Sequence, residues 1–230
     1  MRMIFKNRRA AGKKLSAQLL EYKGEQPLVL ALPRGGVPVA YEIAMALDAP
    51  LDVIVVRKLG APGQPELGIG AVVDGDHPQS VLNEDVMSVL HVSAAYLDRE
   101  VALELQEIRR RQERYRGGRP PAPIAGRTVI VVDDGIATGG SVRAALRGVR
   151  RAQPRRLVLA VPVAPPETIA ALRREADAIV CLSTPQLFHA VGQFYDDFAQ
   201  TTDEEVIELL EAARRHHTAA VVGKTSDTRA

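Results

Sequence analysis

The sequence predicts an α/β fold: a doubly wound, mostly parallel sheet with a small C-terminal hood. Three observations predict it. Apolar runs of strand length alternate with helical patterns from Leu28 onward, which is the signature of βαβ units. Val129-Ile130-Val131-Val132 is a run of β-branched residues, as expected of a strand buried on both faces in the middle of a parallel sheet. Two strand ends run through glycine loops into helices, at Pro33-Arg34-Gly35-Gly36 and at Asp133-Asp134-Gly135-Ile136-Ala137-Thr138-Gly139-Gly140-Ser141. Open α/β sheets bind ligands at that carboxyl edge.

Length and composition bound the reading. The 230 residues suit one α/β domain with an appendage, and 46% hydrophobic with 25% charged residues is near a soluble average. The formal charge of +2 makes no global case for nucleic acid or membranes. One cysteine, Cys181, excludes an internal disulfide framework. It lies in the apolar run Ala178 to Leu182 and is expected to be a buried, inert thiol. No apolar segment is long enough to span a bilayer, and Met1 to Lys6 lacks the apolar region of a signal peptide. A cytoplasmic protein is expected. No internal repeat and no metal-type cluster of ligands stands out.

In chain order, 8–22 is a helical pattern (Ala11, Leu15, Leu19) with Asn7 as N-cap, its Arg8, Arg9, Lys13 and Lys14 read first as a solvated face, with Arg8 and Arg9 reaching an anionic ligand as the alternative. Leu28 to Leu32 is the first core strand, and Val37 to Leu47 a helix with Pro38 in its first turn. Leu51 to Val56 is a second buried strand ending at Arg57-Lys58. Leu59 to Leu67, with Gly60, Pro62, Gly63 and Pro65, is expected to be an irregular, mobile loop. Gly68 to Asp74 and Gln79 to Leu82 are strands around an Asp74-Gly75-Asp76 turn. Ser93 caps a helix from about Ala94 to Arg116, whose last turns carry Arg109, Arg110, Arg111, Arg114 and Arg116. These complement the helix dipole and are also the best seed for nucleic-acid binding, though aromatic residues among them are sparse. A Gly/Pro linker, Gly117 to Pro123, leads into the central strand. Arg156 to Val163, Glu167 to Glu175 and Ala178 to Leu182 continue as strand, helix and strand. Phe188 to Phe198 is unusually aromatic. Thr202-Asp203-Glu204-Glu205 is a capping box opening a last helix to about Arg215. The core then spans about 25–183 and the hood about 184–217 together with the helix 8–22, all in one domain, 1–217. The tail 218–230 is expected to be disordered.

The central loop has the chemistry of a phosphate site. Gly139 and Gly140 let backbone approach closely, Thr138 and Ser141 add hydroxyl donors, and the following helix start offers unpaired N–H groups and a favourable dipole. A phosphate gains nothing from two carboxylates, so Asp133 and Asp134 address something else, a sugar's vicinal hydroxyls or a cation. Arg-Gly-Gly at 34–36 is a second anion loop, with a fork of donors on Arg34.

Together these stretches resemble the type I phosphoribosyltransferases. Asp133-Asp134 followed by Ala137-Thr138-Gly139-Gly140 is similar to their binding signature for 5-phosphoribosyl 1-pyrophosphate (PRPP), and is closest to the adenine-type enzymes. Gly135 stands where a bulky apolar residue is usual. The resemblance implies transfer of the phosphoribosyl group to a nitrogen acceptor, a nucleobase with purine before pyrimidine, with release of pyrophosphate. It implies that Asp133 and Asp134 hold the ribose hydroxyls and that Ala137, Thr138, Gly139, Gly140 and Ser141 hold the 5′-phosphate. Arg34, Gly35, Gly36, Arg57 and Lys58 would take the pyrophosphate with Mg²⁺, which arrives largely on PRPP and touches Asp133. The loop after Arg57-Lys58 would be a lid, with Glu66 as acid/base. Phe188, His189, Tyr195 and Asp196 would meet the acceptor. Asp196 matches the spacing of the hypoxanthine/guanine-type enzymes, while the lysine that reads a 6-oxo group has no counterpart between Leu157 and Gln186. Which ring stacks stays open. A homodimer is implied. The rival reading is a PRPP- or nucleotide-sensing regulator that binds RNA, DNA or a protein partner without turnover.

Overall fold

The computed structural model describes residues 5–75 and 78–227, with side chains up to residue 220. Asp76, part of the expected turn, lies outside the described residues, as do 228–230 of the expected tail. The elements are α1 (Arg8–Ala17), β1 (Leu28–Ala31), α2 (Gly36–Leu47), β2 (Leu51–Val53), β3 (Val56–Ala61), β4 (Gln64–Val73), β5 (Gln79–Leu82), α3 (Glu84–Val89) and α4 (Ala94–Arg116). They continue with β6 (Thr128–Val132), α5 (Gly140–Arg151), β7 (Arg156–Val163), α6 (Pro166–Leu172), β8 (Ala178–Ser183) and α7 (Asp203–Asp227). A parallel sheet runs β2-β1-β6-β7-β8, and a separate antiparallel sheet runs β3-β4-β5.

The doubly wound architecture follows from strand alternation. Leu28, Leu30, Val129, Val131, Leu157 and Leu159 face one side and pack with Val142, Ala145, Leu146 and Val149 of α5. Val29, Ala31, Ile130, Val132, Val158 and Ala160 face the other and meet α2 and α7. Every residue of β6 is buried, because helices cover both faces of the central strand.

The run Leu51 to Val56 is not one buried strand. β2 is a half-buried edge strand, and the chain leaves the sheet after it, so that Arg57 and Lys58 lie within β3. The exit is fixed by Arg116, whose guanidinium reaches Asp52 at 2.9 Å, the Val53 carbonyl at 2.7 Å and Asp74 at 3.0 Å. The expected mobile loop 59–67 is mostly the β3–β4 hairpin. Pro62 and Gly63 (φ +70) form its turn, the composition of a type II turn. The register breaks around Gly60, where a Cβ would lie 2.7 Å from Pro65 Cα. Proline and glycine here shape a bulge rather than abolish the strand. Ile108, Leu59, Ile69 and Val72 form the core between this sheet and α4.

The hood begins at both ends of the described chain. Phe5 N–H donates to the Phe194 carbonyl and Asp196 N–H to the Phe5 carbonyl, each at 2.8 Å, and Phe5, Ala11, Val163, Phe194 and Tyr195 share a core. The capping box forms, Glu205 N–H donating to Thr202 Oγ1 at 3.1 Å. α7 passes its expected end at Arg215 and runs to Asp227, into the tail expected to be disordered. No proline interrupts 203–227, and Gly223 alone is a weak helix breaker. Cys181 is half-buried, not fully buried, with its thiol against the Ser183 carbonyl, and burial pushes its pKa up. Among the described residues no helix is long and apolar enough to cross a membrane.

Candidate functional site

The site is built where β1 and β6, hydrogen-bonded neighbours in the sheet, end side by side. Leu32 N–H donates to the Val132 carbonyl at 2.9 Å, so the Pro33–Gly36 turn and the Asp133–Gly135 turn start from the same level. The Pro33–Arg34 peptide is cis. A Cβ on Gly35 would fall 2.1 Å from Asp134 Oδ2, and one on Gly36 2.7 Å from the Val132 carbonyl oxygen. Only glycine lets the two loops touch here. The glycine loop at the head of α2 and the acid pair therefore form one continuous surface.

The acid pair is asymmetric. Asp133 accepts the Asp134 N–H at 2.9 Å. Burial and the adjacent Asp134 both push its carboxyl well above the usual range. Burial also raises Asp134, but Arg8 opposes it with a hydrogen bond and its charge. Arg8 Nε lies 2.7 Å from Asp134 Oδ2, with both side chains mostly shielded from solvent. Its Nη1 donates to the Ala199 carbonyl at 2.7 Å, and its guanidinium lies 3.8 Å above the Phe198 ring. Arg8 was expected on a solvated face and is instead a strut between hood and acid pair. Arg9 pairs with Glu42 at 2.6 Å.

The loop after the acids opens toward solvent. Gly135 touches Val191, since a Cβ there would come within 2.5 Å of Val191 Cγ1. That contact explains the missing bulky residue. Ile136 N–H donates to the Val163 carbonyl at 2.9 Å, and Thr168 Oγ1 donates to the Ala137 carbonyl at 2.8 Å, so neighbouring strands and α6 hold the loop. Gly139 caps α5 with φ +79. Ala137, Thr138, Gly140 and Ser141 are exposed, leaving N–H groups and two hydroxyls at the positive end of a three-turn helix. Arg143 Nε, in the first turn, is buried with no hydrogen-bond partner among the described residues.

The other expected site residues divide. Arg34 stays half-exposed, 3.8 Å from Asp203. Asp203 itself accepts from Tyr115 at 2.6 Å and pairs with Arg114 at 2.7 Å. Arg57 is committed to Glu104 at 2.5 Å, and Lys58 to an exposed Glu66 at 3.1 Å. Arg57 and Lys58 line a pocket of about 420 Å³ with Tyr96, Glu100 and Glu104, between the hairpin and α4. No described contact joins Arg57, Lys58 or Glu66 to the acid pair. In the hood, His189 and Asp196 are exposed, whereas Phe188 packs on Phe194 with ring centroids 5.2 Å apart. Tyr195, expected to meet the acceptor, is buried in the aromatic core. Its hydroxyl donates to the Asp134 carbonyl at 2.5 Å, and burial raises its pKa. It braces the acids from behind.

The arginine cluster of α4 is largely neutralised. Arg110 and Arg111 share Glu107, Arg110's hydrogen bond first among the causes that hold that carboxyl at about 2. Arg114 serves Asp203 and Glu204, and Arg116 is buried against Asp52 and Asp74.

Comparison with known proteins agrees with this geometry. The phosphoribosyl transferase domain profile matches residues 2–199. The chain belongs to the phosphoribosyl transferase domain family. Within that family it is 48% identical over 212 residues to two Mycobacterium tuberculosis proteins, from strains CDC 1551 and H37Rv, each named provisionally as a phosphoribosyl transferase. The match covers 92% of this chain but spans only 47% of those relatives. The crystal structure of TT1426 from Thermus thermophilus shares 48% identity and superposes with a TM-score of 0.80, covering 90% of this chain and 98% of that one. This family membership fits both the parallel sheet and the position of its two glycine loops at the strands' carboxyl ends.

Proposed function

We propose that the chain transfers the 5-phosphoribosyl group of PRPP to a nitrogen acceptor, a nucleobase before other amines and purine before pyrimidine, releasing pyrophosphate. The observation that carries this reading is the abutment of the Arg34–Gly36 loop and the Asp133–Asp134 pair, with an open anion cradle at 137–141 alongside. A ligand with phosphate at one end, a diol in the middle and a pyrophosphate beyond it matches that order of groups.

The residues have separable tasks. Ala137 to Ser141 take the 5′-phosphate on N–H groups and hydroxyls. Asp134, hydrogen-bonded to Arg8, and Asp133 accept hydrogen bonds from the ribose hydroxyls and face the positive charge that develops on the ring. Arg34 and the α2 N-terminus take charge accumulating on the departing pyrophosphate. Catalysis of this kind is positioning plus preorganised charge. Among the described residues no group of three His, Cys, Asp or Glu could hold a metal. Asp133 is a single carboxylate donor, which would fit a Mg²⁺ carried mostly by the phosphate groups of PRPP. When bound, that cation supplies neutralisation of the pyrophosphate. Closure of the hairpin would bring Lys58 and Glu66 toward the site and exclude water.

A regulator that reads nucleic acid has less support, because the arginines that suggested it are mostly engaged in intramolecular pairs. The test is incubation with PRPP, Mg²⁺ and a panel of bases. Pyrophosphate release dependent on one base is expected. Saturable PRPP binding without release from any acceptor contradicts transfer.

A further inference from the structure

Arg8 lies far from the signature loop in sequence, yet it is the only cation that the described structure places on the acid pair. It is held from three sides, by Asp134 Oδ2, by the Ala199 carbonyl and by the face of Phe198. The same stretch of hood sends the Tyr195 hydroxyl to the Asp134 carbonyl and packs Val191 against Gly135. Asp134 is thus clamped through its side chain, its carbonyl and the next residue, all by the hood. Among the described residues Asp133 has no such clamp.

We propose that Arg8 is a positioning residue for the ribose end of the substrate: it fixes the orientation of the Asp134 carboxyl group, so that this member of the pair is held in place to accept from the sugar diol. The inference rests on reading this loop as the ribose site. Chemically, a guanidinium hydrogen-bonded to one carboxyl oxygen and itself held at its other end restrains the rotation of that carboxyl group. The charged and titratable groups facing Asp134 are Arg8 from α1, Asp133 in the same loop and Tyr195 from the hood. Gly35 approaches from the α2 loop with no side chain. Of these, Arg8 alone holds the Asp134 side chain by a hydrogen bond. Phe198 and Ala199 keep its fork from swinging into solvent, so the hood sets the geometry of a contact made in the core.

Ribose 5-phosphate and 2-deoxyribose 5-phosphate are the probes, since they differ only in the diol, and calorimetry is the readout. In the wild-type protein the ribose compound binds more tightly. In Arg8→Met the ratio of the two affinities falls roughly tenfold, as for loss of a charge-assisted contact. Arg8→Lys restores only part of the ratio, having one ammonium in place of a fork. A merely structural Arg8 would weaken both sugars alike and leave the ratio in place. Arg8→Met that folds and keeps the wild-type ratio overturns the proposal, as do Lys and Met variants that behave identically. If Arg8→Met does not fold, Phe198→Leu carries the test: a lowered ratio is expected, and an unchanged ratio overturns it. A wild-type protein that binds neither sugar overturns the phosphoribosyl reading itself, and the role of Arg8 with it. A wild type that binds, with unaffected variants, overturns only the latter.

Discussion

Asp133 accepts one backbone N–H, while Arg8 is bonded to its neighbour. Its carboxyl pKa is raised by burial and by Asp134, so folding opposes its ionisation. The sign follows from linkage: the group is harmless below its unfolded pKa, and stability is lost as pH rises through the raised folded value. Asp133→Asn keeps an oxygen for the Asp134 N–H and removes that penalty. It should raise the melting temperature by roughly 2–6 °C at pH 7.5 and by less at pH 4.5, while weakening PRPP binding. A melting temperature that falls equally at both pH values contradicts this account. The acids and the glycine loop were legible because residue type and order alone identify them. Arg8 was not, because one arginine on a basic helix looks like every other until the fold places Asp134 and Phe198 around it. Tyr195 was misread for a related reason: an aromatic residue near a ligand signature fits a stacking platform and a buried brace equally well.

At the scale of elements, two β–α turns must touch for one ligand to bridge them. Gly35→Ala tests this directly. The added methyl would fall 2.1 Å from Asp134 Oδ2, and Asp134 cannot swing away without breaking its bond to Arg8. Affinity for PRPP should drop about tenfold or more with the fold retained. Gly24→Ala, where the methyl meets nothing within 4 Å, should change nothing. Equal binding by all three proteins would mean that the loops do not share a ligand. Helices with clear signals were read nearly to the residue, as with α4, where Ser93 Oγ accepts the Tyr96 N–H and Gly117 (φ +58) ends the helix. Strand boundaries were harder. The apolar run 51–56 gives no local sign that the chain leaves one sheet for another, since the turning point is fixed by Arg116, distant in sequence. The hairpin's middle, 59–67, was read as a loop because its glycines and prolines are turn and bulge residues.

For the whole molecule, the parallel sheet and the second sheet are joined where Arg116 meets Asp52, Asp74 and Val53. Removing the guanidinium leaves Asp74 buried with burial already raising its pKa. Arg116→Met should destabilise by about 3–5 kcal/mol in denaturant unfolding, and adding Asp74→Asn should recover part of that loss. An additive double mutant would contradict a coupled network. The fold class was legible from alternation alone, because a sheet covered on both faces demands continuous apolar strands. The hood was only partly so, since it depends on Phe5 meeting Phe194 and Tyr195 across nearly the whole chain. The central claim is that residues 133–141 grip a phosphorylated pentose. Its most direct test is calorimetric titration of PRPP with Mg²⁺ into the wild-type protein and into Asp133→Asn/Asp134→Asn. Saturable binding by the wild type and a loss of at least about a hundredfold in the double variant is the predicted result; equal affinity in both, or none in either, contradicts it.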